Sequence, residues 1–145
     1  MTKRIVRILH VEDDGFQRRL LARLLEQMDE FQFEIECAES EWEGLELFGR
    51  KGADLIIVDY HLAEGNGLHL LQELRRHDSH VPVIAVSGQA AAEIARELIE
   101  YGADDFLDKK DLSGQVLTAS VRDVLTRWDA WRRLDSRARM APIKK

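Results

Sequence analysis

The chain has 145 residues, of which 45% are hydrophobic and 33% are charged. Such values are typical of a soluble domain, so they argue against wholesale disorder and a membrane protein, and the length leaves room for one core. No apolar run approaches the ~18–20 residues of a membrane span, and the N-terminus lacks the apolar stretch of a signal peptide. The single cysteine, Cys37, cannot form an intramolecular disulfide. We therefore predict a cytoplasmic protein with a single core.

The formal net charge of −6 hides an uneven distribution along the chain. The last 20 residues hold seven basic and two acidic residues, a net of +5, so the first 125 residues carry a net of −11. This acidic body argues against a general nucleic-acid binder, and we expect no direct contact with nucleic acid or with a membrane. The basic end has two interpretations: a solvated helix end with a tail, or a docking segment for a partner or for a second copy.

Strand-like and helix-like segments alternate along the whole chain. Short apolar runs rich in β-branched residues predict strands, and apolar residues spaced three and four apart predict helices. The predicted strands cover residues 5–11, 33–38, 54–59, 81–87 and 105–109, and the predicted helices cover 16–28, 40–48, 67–77, 89–101 and 112 onward. Right-handed crossovers then predict an α/β fold, a doubly wound (βα)5 parallel sheet with helices on both faces and an extended C-terminal helix.

Polar side chains follow four of the predicted strands. Glu12 and Asp13 end the first strand, Asp59 the third, Ser87 the fourth and Lys109 the fifth. Since ligands bind at the carboxyl ends of strands in doubly wound sheets, these side chains should converge. Clustered carboxylates need a counter-charge, and a set of oxygen ligands suits Mg²⁺. Mg²⁺, an ammonium and a hydroxyl are what a transferring phosphoryl group requires, so we predict Asp59, on the most apolar strand, as the nucleophile.

Single residues also have purely structural interpretations. Asp14 can cap the first helix, and Ser40 with Glu43 three residues later predicts a capping box for the second. His61 lies in a predicted loop, where a solvated histidine is more common than a proton shuttle or metal ligand. Cys37, on an alternating strand, is predicted to be a small buried hydrophobe rather than a redox sensor.

Four motifs in this order form a recognisable set. They are Val11-Glu12-Asp13-Asp14, residues 54–62 (DLIIVDYHL) with Gly67 beyond them, residues 81–88 (VPVIAVSG) and residues 102–109 (GADDFLDK). Together they resemble the receiver domain of two-component response regulators, over residues 4–127. The resemblance implies the flavodoxin-like form of the predicted sheet for residues 4–127. Residues 128–145 would then be a C-terminal helix extension with a basic tail.

The resemblance also implies a role for each strand-end residue. Asp59 would accept a phosphoryl group from a phosphohistidine on a sensor histidine kinase or a histidine phosphotransfer protein. Glu12, Asp13 and Asp59 would hold Mg²⁺, with the backbone carbonyl of His61 as a further ligand. Lys109 would engage the phosphoryl oxygens.

The family's switch residues can be carried over in the same way. Ser87 would bind the phosphoryl group and, as it moves, allow Phe106 to turn inward, which would change a surface that a downstream protein target binds. Two positions depart from the family pattern. Lys110 stands where proline is usual, so the usual cis-proline turn is unavailable, and Ala63 replaces a frequent proline, which predicts a more mobile loop. His61 and Gln89 occupy positions that tune the phosphate lifetime in this family.

The last predicted helix continues past the usual end of such a domain. Its apolar positions, Leu117, Val121, Val124, Trp128 and Trp131, follow alternating spacings of four and three. The first three can pack on the sheet, whereas Trp128 and Trp131 are expected to lie beyond it. Exposed aromatic residues often mark an interface, so we predict a homodimer or a partner contact here. What remains after Arg127 is expected to be too short for an output domain.

Three classes of function remain open. The leading one is a stand-alone phosphorelay receiver, which signals through protein contacts and is not an enzyme beyond its own phosphorylation and dephosphorylation. The second is a receiver module taken from a larger hybrid kinase or regulator. The third is an interaction module on the same fold that is never phosphorylated. The presence of Asp13, Asp59, Ser87 and Lys109 disfavours this third class.

Overall fold

The computed structural model describes residues 2–77, 80–89 and 92–140, with side chains through Ser136. Residues 141–145, which include most of the predicted basic tail, lie outside the described residues. Strands and helices alternate in the order β1 (Arg4–Val11), α1 (Gly15–Glu26), β2 (Phe31–Ala38), α2 (Glu41–Lys51), β3 (Leu55–Asp59), α3 (Gly67–Arg76), β4 (Val83–Ser87), α4 (Ala92–Glu100), β5 (Asp105–Asp108) and α5 (Gly114–Met140). The predicted alternation of five strands with five helices is confirmed.

All neighbouring strands of the sheet are parallel, and their order is β2-β1-β3-β4-β5. The chain moves outward from β1 to β2, then crosses back to β3 and continues in the opposite direction. The switch point therefore lies between the carboxyl ends of β1 and β3, where a doubly wound sheet opens a crevice. This topology confirms the predicted flavodoxin-like fold.

Two apolar layers cover the faces of the sheet. One layer lies under α1 and α5 and includes Leu25, Ile57 and Leu117, whereas the other lies under α2, α3 and α4 and includes Ile56, Leu70 and Leu98. β3 and β4 are buried along their whole length, which explains why their sequences are continuously apolar instead of alternating. β2 lies at the edge and alternates between half-buried and exposed residues.

The helix caps largely follow the sequence. The side chain of Asp14 accepts the N–H of Phe16 at 2.8 Å at the start of α1, as predicted. Ser40 Oγ accepts the N–H of Glu43 at 3.1 Å, but the Glu43 carboxylate reaches the N–H of Glu39 at 3.5 Å instead of that of Ser40. The capping box is thus formed on one side only.

Cys37 is exposed, so the prediction that it is buried is wrong. The reason is that β2 forms the edge of the sheet, where no further strand covers it. Burial of the thiol nevertheless raises its pKa, because part of the side chain is withdrawn from water and the charged thiolate is disfavoured. A raised pKa disfavours the reactive thiolate, and the absence of a redox role for Cys37 stays a prediction.

The turn after β5 uses an N–H that proline would lack. Residues Lys109–Asp111 form one turn of 3₁₀ helix, and the Asp108 side chain accepts the N–H of Lys110 at 2.9 Å. The peptide bonds of the described residues are all trans. The substitution of Lys110 for the usual proline therefore replaces one way of building the turn with another.

α5 has 27 residues and extends past the end of the sheet opposite the switch point. Arg4, at the start of β1, forms a paired contact with Asp129 at 2.7 and 3.2 Å, and Arg127 donates to the carbonyl oxygen of Asp104 at 2.9 Å. These contacts fix the first turns of the extension to the domain. None of the helices in the described part of the chain combines the length and the hydropathy that a membrane span needs.

A half-buried arginine closes the same end of the molecule. Arg75, at the end of α3, donates to the carbonyl oxygen of Val81 at 2.8 Å and to that of Gly102 at 2.7 Å. Gly102 has a φ of +103°, and an added Cβ would lie 2.9 Å from Nε of Arg75. One guanidinium group thus ties together the segments that lead into β4 and β5.

Candidate functional site

Four of the predicted residues meet at the carboxyl edge of the sheet. Glu12 follows β1, Asp59 and Ser87 end β3 and β4, and Lys109 follows β5. Glu12 is 2% exposed, Asp59 4% and Ser87 0%, which is unusual for two carboxylates. Buried carboxylates need compensating partners, so the arrangement around them shows what the site is built to hold.

Lys109 is the counter-charge to both buried carboxylates. Its Nζ lies 2.9 Å from Oε1 of Glu12 and 3.0 Å from Oδ2 of Asp59, and the lysine side chain is largely buried. The three residues are far apart in the sequence, and they meet because β1, β3 and β5 end at the same edge of the sheet. The prediction that the strand-end groups converge is confirmed for this triad.

The pKa values reflect an excess of negative charge. Burial, and after it the neighbouring Asp59 carboxylate, raise the pKa of Glu12 to about 7 against the opposing effect of Lys109. Burial lowers the pKa of Lys109, but its hydrogen bonds to Glu12 and Asp59 outweigh this effect, and the resulting pKa is above the ordinary value. One ammonium group therefore does not fully compensate the two carboxylates. The site favours an additional positive charge.

The donor set fits a magnesium ion. Glu12, Asp13 and Asp59 each offer a carboxylate oxygen, and these oxygens lie within 4.8 Å of one another. Mg²⁺ prefers oxygen ligands and is commonly held by a small number of carboxylates, with water and phosphate oxygens filling the remaining positions. Asp13 is partly exposed, so a ligand can reach this side of the cluster. His61 lies just beyond it, with its N–H donating to Oδ1 of Asp59 at 3.2 Å.

Ser87 and Phe106 occupy neighbouring strands without forming a hydrogen bond to the triad. The Oγ of Ser87 accepts the N–H of Gln89 at 3.2 Å. Phe106 lies opposite Ala85 in the register of β4 with β5, half-buried against the layer under α4. The Ser87 hydroxyl thus lies buried at the carboxyl end of β4, and Phe106 lies two residues away along the sheet.

Three contacts around the site were not predicted from the sequence. Arg18, one turn into α1, donates to the carbonyl oxygen of Glu12 at 2.8 Å and lies 3.3 Å from the Glu39 carboxylate. Asp13 Oδ2 accepts the N–H of Ala63 at 2.9 Å. An added Cβ on Gly67 would lie 2.8 Å from the carbonyl oxygen at the end of β3. Only the glycine has a sequence signal, its place in the β3–α3 motif; the other contacts depend on how loops pack.

The two C-terminal tryptophans lie at the opposite end of the molecule. Trp128 is half-buried and stacks on Trp131, with ring centroids 4.8 Å apart and planes 9° apart. Trp131 also packs against His80 and remains 39% exposed, while Leu134 one turn later is 64% exposed. The domain thus covers this pair more than the sequence predicts, and the proposed interface through Trp128 and Trp131 stays a prediction.

Comparisons with known proteins agree with this geometry. Residues 8–122 match the family described as the response regulator receiver domain. The transcriptional regulatory protein MalR of Bacillus subtilis is 36% identical over 105 residues, which are 72% of this chain and 44% of MalR. The KDP operon transcriptional regulatory protein KdpE of Escherichia coli is 35% identical over 123 residues, which are 85% of this chain and 52% of KdpE.

Similarity to solved structures extends over nearly the whole chain. The crystal structure of NtrX from Brucella abortus superposes with a TM-score of 0.83 at 26% identity and covers 97% of this chain, but the match is only 31% of NtrX. The chain therefore spans about half or less of the length of these relatives. Two of them are named as transcriptional regulators, so the expectation of no contact with nucleic acid has no support from them and stays a prediction.

Proposed function

This chain belongs to the response regulator receiver domain family, and on that premise we propose that Asp59 is its phosphoacceptor. The donor is a phosphohistidine on a sensor histidine kinase or a histidine phosphotransfer protein. An oxygen of the Asp59 carboxylate forms a bond to phosphorus while the bond from phosphorus to the histidine nitrogen breaks. The product is an aspartyl phosphate and a histidine on the donor that regains its proton.

The observation that carries this proposal is the contact of Lys109 with Asp59 at 3.0 Å inside a buried acidic cluster. The fixed ammonium lies against the carboxylate that would attack phosphorus, where it can also stabilise the negative charge of the incoming phosphoryl oxygens. When the phosphoryl group is transferred, the same ammonium can follow its oxygens without leaving the site. Ser87 is fully buried at the end of the neighbouring strand β4, and its hydroxyl would donate a hydrogen bond to the phosphoryl oxygens.

Glu12, Asp13 and Asp59 would hold the Mg²⁺ ion, with the carbonyl of His61 as a further ligand. The ion supplies positive charge that neutralises the phosphoryl oxygens during transfer. The raised pKa of Glu12 supports this assignment, because a cluster that already favours a further positive charge gains most from a divalent cation. We assign no other cofactor to the site.

Phosphorylation would then change a protein-binding surface. Ser87 would move toward the phosphoryl oxygens, and Phe106 would turn into the space it leaves, altering the face formed by α4, β5 and α5. The partner that binds that face is a downstream protein or an output domain. We propose that the chain acts in the cytoplasm as a signalling domain, with no substrate other than its own aspartate.

Two arrangements of the whole protein fit this role. Residues 4–127 can act as a stand-alone receiver, with residues 128–145 as a helical extension and basic tail. Alternatively, the chain is the receiver module of a longer regulator, as its partial coverage of MalR and KdpE suggests. In that case the extension of α5 leads into the next domain, and contact with nucleic acid belongs to that domain.

Intact-mass spectrometry after incubation with acetyl phosphate tests the proposal. We expect one phosphoryl adduct with Mg²⁺ and none with excess EDTA or in Asp59→Asn. Asp111→Asn is the matched control, because this exposed aspartate lies on the turn after β5 and should be modified like the wild type. An adduct that persists in Asp59→Asn would refute the assignment. If no adduct forms, Mg²⁺-dependent binding of beryllofluoride distinguishes a short-lived phosphate from a silent site.

A further inference from the structure

The loop between β3 and α3 leads directly from the proposed phosphoacceptor. We call residues 60–66 the acceptor loop. Its two ends are closed on each other, because the N–H of Gly67 donates to the carbonyl oxygen of Tyr60 at 2.9 Å and His61 pairs with Asn66 as an antiparallel bridge. Its middle is tied to the site, since Ala63 donates its N–H to Asp13. The loop therefore touches two of the groups assigned to Mg²⁺, the Asp13 carboxylate and the His61 backbone.

Glu41, the first residue of α2, holds the outer side of this loop. Its Oε1 accepts the N–H of Asn66 at 3.2 Å, and its own N–H donates to the carbonyl oxygen of Glu64 at 3.3 Å. Between these two contacts, Gly65 adopts a φ of +87°, and an added Cβ would lie 2.7 Å from both Cβ and Oε1 of Glu41. The loop backbone is thus pressed against this one side chain with no space for a larger residue.

The second oxygen of Glu41 is engaged by α3. Oε2 lies 2.5 Å from Nδ1 of His69, whose Nε2 faces Glu73 at 3.9 Å. The Glu41 side chain is only 16% exposed, whereas its neighbour Trp42 is 72% exposed. A carboxylate at the N-terminus of a helix is also favoured by the helix dipole. Glu41 therefore connects three elements: the start of α2, the acceptor loop and the first turn of α3.

We infer that Glu41 is a positioning residue for the Mg²⁺ site. It does not touch the ion; it fixes the acceptor loop, which in turn fixes Asp13 and the carbonyl of His61. A ligand that is already in place when the ion arrives loses less conformational freedom on binding, so the affinity is higher. The greater mobility expected from Ala63 stays a prediction. This inference rests on the proposed function.

Three substitutions separate position from charge. Glu41→Ala removes the acceptor of Asn66 and the contact with His69, so we expect Mg²⁺ to bind about fivefold more weakly. Glu41→Gln removes the charge but keeps an oxygen that can accept from Asn66, so its affinity should stay within about twofold of wild type. Glu43→Ala is the matched control, since it removes one carboxylate from the same helical turn, and among the described residues that carboxylate accepts from Glu39 and forms no hydrogen bond with the loop.

Isothermal titration calorimetry with MgCl₂ gives the affinities, and thermal unfolding without Mg²⁺ shows whether each variant is folded. Equal affinities for Glu41→Ala and Glu43→Ala would overturn the inference, because charge alone would then explain the change. An affinity of Glu41→Gln as low as that of Glu41→Ala would also overturn it. Gly65→Ala disturbs the same contact from the loop side, and it should weaken Mg²⁺ binding even if Glu41→Ala does not fold.

Measurements on the wild type distinguish a failure of this inference from a failure of the proposed function. If the wild type binds no Mg²⁺ and forms no adduct with acetyl phosphate, the proposed function fails. If the wild type does both and Glu41→Ala behaves like Glu43→Ala, only the role of Glu41 fails. A rate of phosphorylation that recovers at saturating Mg²⁺ in Glu41→Ala would support positioning of the ion, because a damaged fold would not be repaired in this way.

Discussion

Replacement of Lys109 by methionine tests the electrostatic balance of the site. The lysine bridges Glu12 and Asp59 at 2.9 and 3.0 Å, and both carboxylates are almost fully buried. Methionine fills a similar volume but leaves two like charges without their cation. We therefore expect Lys109→Met to destabilise the protein in the absence of Mg²⁺, in contrast to a surface lysine substitution.

The size of the effect follows from the burial. Removing one partner of a buried ion pair costs about 3–5 kcal/mol, and the partial exposure of Lys109 favours the lower end, about 3 kcal/mol at pH 8. At this chain length such a loss lowers Tm by about 10 °C. Mg²⁺ should restore much of it, because a dication replaces the missing charge. The Tm gain on adding Mg²⁺ should therefore be larger in the variant than in the wild type.

The loss of stability caused by Lys109→Met should also depend on pH, and the pKa of Glu12 determines whether it grows or shrinks as the pH falls. The pKa of Glu12 is about 7 in the folded wild type, and Lys109 is one of the groups that lower it. Without the lysine this pKa rises, so near pH 7–8 the folded variant holds a proton that the wild type lacks. Lowering the pH then stabilises the variant relative to the wild type, by at most about 1.4 kcal/mol per pH unit. We expect the difference to shrink to about half between pH 8 and pH 6.

Urea unfolding followed by circular dichroism at pH 8 and pH 6 measures these differences. His10 is buried with a pKa lowered to about 4, mainly by desolvation, and it titrates in both proteins, so it largely cancels in the comparison. Lys110→Met is the control, because Lys110 is exposed and lies 3.9 Å from its nearest carboxylate. A loss below about 1 kcal/mol for Lys109→Met, or one equal to the control at both pH values, would refute the reasoning.

Three further predictions concern stability. Arg75→Met removes the guanidinium hydrogen bonds to the carbonyl oxygens of Val81 and Gly102 and should cost about 2–3 kcal/mol in urea unfolding, whereas Arg76→Met on the exposed side of α3 should cost less than about 0.5 kcal/mol. Gly67→Ala forces a methyl group to within 2.8 Å of the carbonyl oxygen of Asp59 and should cost about 1–3 kcal/mol, whereas Gly49→Ala, with open space around it, should raise Tm. Relative to Glu12→Gln, the stability of the wild type should be greatest below pH 4.5 and fall by up to about 3 kcal/mol as the pH rises through 7; a flat difference would contradict the raised pKa.

The sequence by itself determined the fold and which strand-end side chains meet at the carboxyl edge of the sheet. The continuous apolar runs at β3 and β4 are short and rich in Ile and Val, which indicates strands buried on both faces, and helices between them predict parallel crossovers. Because side chains at the carboxyl ends of parallel strands share one edge of the sheet, the sequence alone predicts that Asp59 and Lys109 lie close together. Local hydrogen bonds could also be predicted from the sequence, as the N-cap of α1 by Asp14 shows.

Only the tertiary structure decided how the loops and the last helix pack. The contacts of Glu41 with the acceptor loop and α3 join residues from three separate segments, and no sequence pattern predicts them. Cys37 was misjudged because its strand lies at the edge, which depends on strand order and not on local sequence. Trp131 is exposed, as expected, but its contact with His80, from a distant loop, could not be predicted. The spacing of apolar residues predicts the secondary structure of a single segment, whereas these features depend on which segments pack against each other.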